Sequence, residues 1–170
     1  MNLQPFLVHM DHHARAIEQM TLGISAEQAQ WKPTPDDWSL LEVICHLADE
    51  EREDFRTRVG WALGGGKEPW HSIDPQGWVT SRGYNQRELT ESITDYLAER
   101  EASLAWLAGL SQPDWTQEYP TPWGTTRRAG DFMAAWVAHD LLHLRQLVEL
   151  RYAWTIAQAL PYNVQYAGEW

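Results

Sequence analysis

Apolar residues recur every three or four positions through four long stretches of the chain, separated by segments rich in Gly, Pro and Asp. That period marks amphipathic helices, because positions i, i+3, i+4 and i+7 share one face at 3.6 residues per turn. The first stretch covers about residues 3–22, with Leu3, Leu7, Met10, Ala14 and Ile17 in line and Gly23 as a stop. The connector after it carries WKPTPDDW, whose two prolines cannot continue a helix. Ser39 then stands three residues before Glu42, the spacing of a capping box, and opens a second helix over about 39–63. This helix is apolar at Leu40, Val43, Ile44 and Leu47, becomes strongly charged in DEEREDFRTR, and ends at Gly64, Gly65 and Gly66.

Residues 64 to about 86 are glycine-rich and lack a sustained period. So long a connection in a small domain reads as either a functional loop or a crossover along the body of the molecule. The third helix covers about 86–110, with Leu89, Ile93, Leu97, Leu104 and Leu107 as its stripe, and SQPDWTQEYPTPWGTT is loop. The fourth covers about 129–152, where Phe132, Trp136, Leu147 and Leu150 share a side with His139 and His143. The aromatic tail, 153–170, has room for a short helix before Pro161. With almost no strand pattern, the reading is an all-α four-helix bundle in one domain, 1–170. Two short connections and one long one make helices 2 and 3 parallel, an up-down-down-up order.

Charge and composition narrow the function. Lys plus Arg is 13 against 24 for Asp plus Glu, a net charge of −11, which opposes binding to a phosphate backbone and predicts no nucleic-acid partner. No apolar run approaches the ~20 residues of a membrane span, and the first residues do not read as a signal peptide. The expectation is a soluble, cytoplasmic protein. The single cysteine, Cys45, excludes an internal disulfide and a cysteine-rich zinc site.

The sharpest chemical signal is H139-D-L-L-H143. An i, i+4 spacing puts both imidazoles on one face, within reach of one metal ion; two hydrogen-bonded core histidines are the plain alternative. A catalytic metal commonly has three protein ligands and one open position. His9, His12, His13, His46 and His71 are candidates for the third. His46 is the best placed, two turns into helix 2. His9 and His13 form a rival i, i+4 pair, and His71 lies in the glycine-rich loop. Glu50, four residues after His46, is a candidate ligand, orienting partner or general base, against the plain reading of a solvated carboxylate in an acidic run. Cys45 points about 100° away from His46 and reads as a buried thiol. Gln146 falls on the histidine side, where it can hydrogen-bond a substrate; Asp140 falls off it and is expected to cap, pair or be solvated.

The segments ISAEQAQWKPTPDDWSLLEVICHLADEERED and AHDLLHLRQL resemble, in this order and separation, the two motifs of the DinB/YfiT-like metalloenzyme family. The resemblance covers most of the chain. It implies a crossover bundle, frequent homodimers, and metal-binding histidines at His46, His139 and His143. It also implies kinship in fold with transferases and isomerases that use low-molecular-weight thiols. Its DNA-damage name does not imply DNA binding. An unusual supply of 11 Trp adds weight to a homodimer.

Antiparallel helices 2 and 4 would bring the three histidines to matching depths nearer one bundle end. Trp31, Trp38, Trp78, Tyr84, Tyr162 and Tyr166 are then candidate rim residues, and Trp115 and Trp123 belong to the far end, with simple packing at a bundle end the preferred reading for most of the tryptophans. Three functions follow as expectations. A divalent ion, Zn²⁺ or Ni²⁺, holds a substrate thiol as thiolate for S-transfer; or it activates water to hydrolyse an amide or ester, with Glu50 as base; or the ion only stabilises a non-enzymatic stress-related bundle.

Overall fold

The computed structural model describes residues 1–169. In chain order the elements are α1 (Gln4–Thr21), α2 (Ala26–Gln30), α3 (Leu40–Asp49), a π turn (Glu50–Phe55), α4 (Arg56–Leu63), α5 (Pro75–Ser81), a 3₁₀ turn (Tyr84–Gln86), α6 (Leu89–Ala108), a hairpin of β1 (Glu118–Pro120) and β2 (Thr126–Arg128), α7 (Ala129–Ala159) and a last 3₁₀ turn (Gln165–Ala167). Helix α3, the π turn and α4 are continuous and form the second long helix of the bundle. Its start is set by the expected capping box: Ser39 Oγ accepts from Glu42 N, and Glu42 Oε2 accepts from Ser39 N.

Side-chain pairs give the directions. Cys45 meets Ser92, Arg52 meets Asp95 and Glu99, and Arg56 meets Glu99 and Ser103, so the second helix and α6 are parallel. His46 lies beside His143 while Phe55 stacks on Trp136, so α7 runs antiparallel to the second helix. His13 meets Asp140 and Arg151 reaches Met20 O, so α1 and α7 are parallel. This is the up-down-down-up bundle with residues 64–88 as the crossover.

Four local features depart from the sequence expectation. The 111–128 segment contains the antiparallel hairpin, with Glu118 opposite Arg128; strands of three residues are too short to display a two-residue alternation. The crossover contains α5, opened by Asp74 accepting from Gly77 N with Pro75 in the first turn, likewise too short to show a stripe. Helix α7 continues to Ala159, past the expected end near 152. The buried positions of α6 are Ser92, Tyr96, Arg100, Ser103 and Leu107; most of the leucine stripe read from the sequence flanks this line and is only half-buried.

Two apolar clusters fill the bundle. One gathers Ile17, Leu40, Val43, Ile44, Leu47, Tyr96 and Leu147. The other gathers Met10, Phe55, Val59, Leu107, Met133 and Trp136. Along every helix the residues between them are polar: His13 on α1, Glu51 on the second helix, Arg100 on α6 and Asp140 on α7. A buried polar layer therefore divides the core, and the histidine site opens at its edge.

Candidate metal centre

His46, His139 and His143 converge. Each offers a ring nitrogen within 4.8 Å of the others, the one such group of His, Cys, Asp or Glu among the described residues. Ring centroids are 5.4 Å apart for His46–His139, 4.8 Å for His46–His143 and 4.3 Å for His139–His143. The i, i+4 spacing on α7 brings the Nε2 atoms of His139 and His143 to 3.1 Å. Two imidazole ligands at ~2.0–2.1 Å from one ion stand roughly 3 Å apart.

The surroundings leave lone pairs for an ion. Gln146 Oε1 lies 2.8 Å from His143 Nδ1 and accepts its proton, which leaves His143 Nε2 unprotonated. His46 Nδ1 and Glu50 Oε1 are buried, make no hydrogen bond, and stand 3.9 Å apart. Burial, reinforced by the neighbouring histidines, pushes the His46 imidazole down to about 2; burial and His143 push His139 down to about 3. Burial also lowers His143. All three rings are therefore neutral at physiological pH, the form that ligates metal. The residues present fit a divalent cation. Trp38 packs edge-on against His46 at 4.9 Å, and the Phe55 ring sits 4.9 Å from that of His139, so two aromatics hold the imidazoles from behind.

The acidic run is not a solvated face. Asp49, Glu50 and Glu51 are all buried. Three consecutive residues sweep roughly 200° of helix surface, and each direction is covered by a different element. Asp49 takes Arg52, Arg82 and the Tyr84 hydroxyl, the last two from the crossover. Glu51 takes Arg100 of α6 and Trp136 of α7. Glu50 faces the histidines, and burial, then Asp54, raises its carboxyl to about 8. The π turn begins at Glu50; such turns insert an extra residue into a helix and concentrate at functional sites.

A pocket of about 660 Å³ exposes the three histidines and Glu50. Asp36, Asp37 and Trp38 of the first connector, Pro75 and Gln76 of the crossover, and Arg145, Gln146 and Glu149 of α7 complete its wall. Of the expected rim aromatics only Trp38 is there. Trp31 packs on Trp154, Trp78 lies under Arg82, and Tyr84 is fully buried. Tyr162 and Tyr166 are exposed, because the longer α7 carries the tail away from the site. Trp115 and Trp123 belong to the far end, as expected, with Trp123 against Trp70. Cys45 is a buried thiol, raised by that burial, 3.4 Å from Ser92 Oγ.

The rival pair does not form a site. His9 and His13 stack at 6.0 Å, and His13 Nδ1 is engaged by Asp140 at 3.2 Å. His12 and His71 are exposed and stand outside the cluster. The sequence reading passed over Arg100 and Glu51, and placed Asp140 only as a residue that caps, pairs or is solvated; it pairs, in the interior. The available signal was Arg100 itself, a charge in register with Tyr96, Ser103 and Leu107 on one helix line.

The family model of the DinB superfamily matches residues 9–147, and the chain belongs to that superfamily. Among solved structures it is similar to YfiT from Bacillus subtilis, described as a probable metal-dependent hydrolase with an unusual four-helix bundle topology. The TM-score is 0.75 at 15% identity, over 86% of this chain and 84% of that one. It is also similar to a mutant of the mycothiol-dependent maleylpyruvate isomerase, with a TM-score of 0.65 at 17% identity, over 86% of this chain and 61% of that one. At these identities the likeness shows the fold. No curated protein sequence matches the chain. No helix of the described residues is long and apolar enough to cross a membrane.

Proposed function

We propose that the protein is a metal-dependent enzyme of the hydrolase type, with His46, His139 and His143 holding a divalent ion, zinc or nickel, and Glu50 moving the proton. The observation that carries this reading is the pairing of three neutral imidazoles with one buried carboxyl, whose Oε1 has no hydrogen-bond partner among the described residues, on the wall of an open pocket. When bound, a divalent ion on three neutral ligands supplies a Lewis acid that polarises a carbonyl and favours the deprotonated form of water or a thiol. Glu50 is positioned to accept and return a proton at Oε1, with a carboxyl poised near neutrality. Trp38 and Phe55 hold two of the rings in place, and Gln146 fixes the tautomer of the third.

Thiol transfer is the second reading, favoured by the similarity in fold to a mycothiol-dependent isomerase. The pocket wall weighs against an anionic thiol: Asp36, Asp37 and Glu149 face Arg145 alone among cationic side chains. The test is turnover of ester, amide and thiol-transfer substrates by metal-loaded parent and Glu50→Gln. Hydrolysis that needs metal and falls 10²–10⁴-fold in Glu50→Gln, the range of general-base loss, supports the first reading. Thiol transfer that survives Glu50→Gln supports the second.

A further inference from the structure

Arg58 is a buried cation with unused donors. Its side chain is 5% exposed, and among the described residues its one hydrogen bond runs from Nε to Asp54 Oδ1 at 2.8 Å. The guanidinium lies over the Trp70 ring, with Cζ 3.8 Å from the ring centroid. Neither terminal nitrogen has an acceptor among the described residues, and neither is sealed from solvent. Arg58 borders a crevice of about 440 Å³, on the far side of the Glu50–Asp54 pair from the histidines. Three aromatic rings supply much of its wall, beside Ser72, Ile73 and Pro122: the Trp123 and Phe132 rings stand 5.2 and 6.2 Å from Trp70, and Trp123, 55% exposed, forms the mouth.

The chemistry of the crevice selects its ligand. Asp54 offers nothing to a cation, since its carboxyl already serves Arg58 and shares a hydrogen bond with Glu50. The free edge of a guanidinium presents two parallel N–H groups whose spacing matches the two oxygens of a carboxylate. Flat aromatic walls favour a planar, apolar body. We infer that this crevice is a binding site for a small organic carboxylate with a planar apolar body. The site is distinct from the histidine pocket and does not rest on the metal reading. With a net charge of −11 the chain does not attract anions at long range, so affinity depends on contact.

Benzoate is the probe, titrated by calorimetry into the full chain after its metal has been removed by chelation. Benzoate binds at roughly millimolar Kd, at least tenfold more tightly than benzamide, and benzylamine does not bind. Arg58→Met abolishes the heat of binding, and Trp123→Ala, at a half-exposed position outside the two core clusters, weakens it at least threefold. His143→Ala leaves it unchanged. Absence of saturable heat, equal binding of benzamide, or loss of binding in His143→Ala overturns the inference. A folded Arg58→Met that binds like the parent overturns it too. Should Arg58→Met fail to fold, the benzoate-to-benzamide ratio and Trp123→Ala decide the matter.

Discussion

Arg100 and Asp140 meet through two nitrogen–oxygen contacts of 2.7 Å, sealed inside the bundle one residue along α7 from His139. Arg100 also donates to Glu51 Oε1 and to Met10 O, so one guanidinium ties all four bundle helices to a single point. Asp140 is held well below the usual carboxylate range by Arg100 and His13 against the opposing effect of burial, whereas burial raises Glu51. Asp140 is the carboxylate that meets Arg100 through both of its oxygens.

Removing that anion leaves a buried charge without its counterion. Asp140→Asn is expected to cost about 3–5 kcal/mol, the range for breaking a buried pair from one side. Glu51→Gln is expected to cost less, because Glu51 meets Arg100 through one oxygen, whereas Asp140 meets it through two. Urea denaturation of both variants checks the order; equal losses would show that the two carboxylates share the charge.

Gln146 acts on the site through His143. Gln146→Ala frees the Nδ1 tautomer, and the expected result is metal binding 10- to 100-fold weaker, the usual effect of losing a hydrogen bond behind a ligand. Gln146 is half-exposed, so the melting temperature should hardly move. Chelator-competition titration measures the affinity, and an unchanged value would assign Gln146 to the substrate side alone.

The stability of the metal-free protein should peak near pH 6.5. Folded His46 and His139 stay neutral down to about 2 and 3, whereas their unfolded forms take protons below 6.5. Their stabilisation is present above pH 6.5 and is lost as pH falls, by about 1.4 kcal/mol per unit per histidine. Glu50 acts oppositely: folded, it keeps its proton to about 8, and unfolded it releases it near 4.5, so stability falls as pH rises across that window. In Glu50→Gln the decline between pH 6.5 and 8 should flatten. Denaturant midpoints across pH 5–8 test this, and an unaltered decline would remove Glu50 as its source.

The four bundle helices were legible because each carries its own periodic stripe, and the Ser39–Glu42 box marked one start. The crossover was legible from its length and glycines. The three histidines are joined by residue type, spacing and family resemblance. What was not legible depends on distant partners. Glu51 reads as surface until Arg100, 49 positions on, is folded against it. Asp49 reads likewise until the crossover brings Arg82 and Tyr84 over it. Arg58 looks like one more surface charge until Trp70 covers it. The hairpin and α5 escaped for a simpler reason, being shorter than one readable period.

Metal content tests most directly whether His46, His139 and His143 hold a divalent ion. Elemental mass spectrometry of tag-free protein should find close to one divalent ion per chain. The content should collapse in His46→Ala, His139→Ala and His143→Ala and stay intact in His9→Ala. Full occupancy retained by His46→Ala, or no ion bound by the parent after incubation with zinc and nickel, would contradict the account.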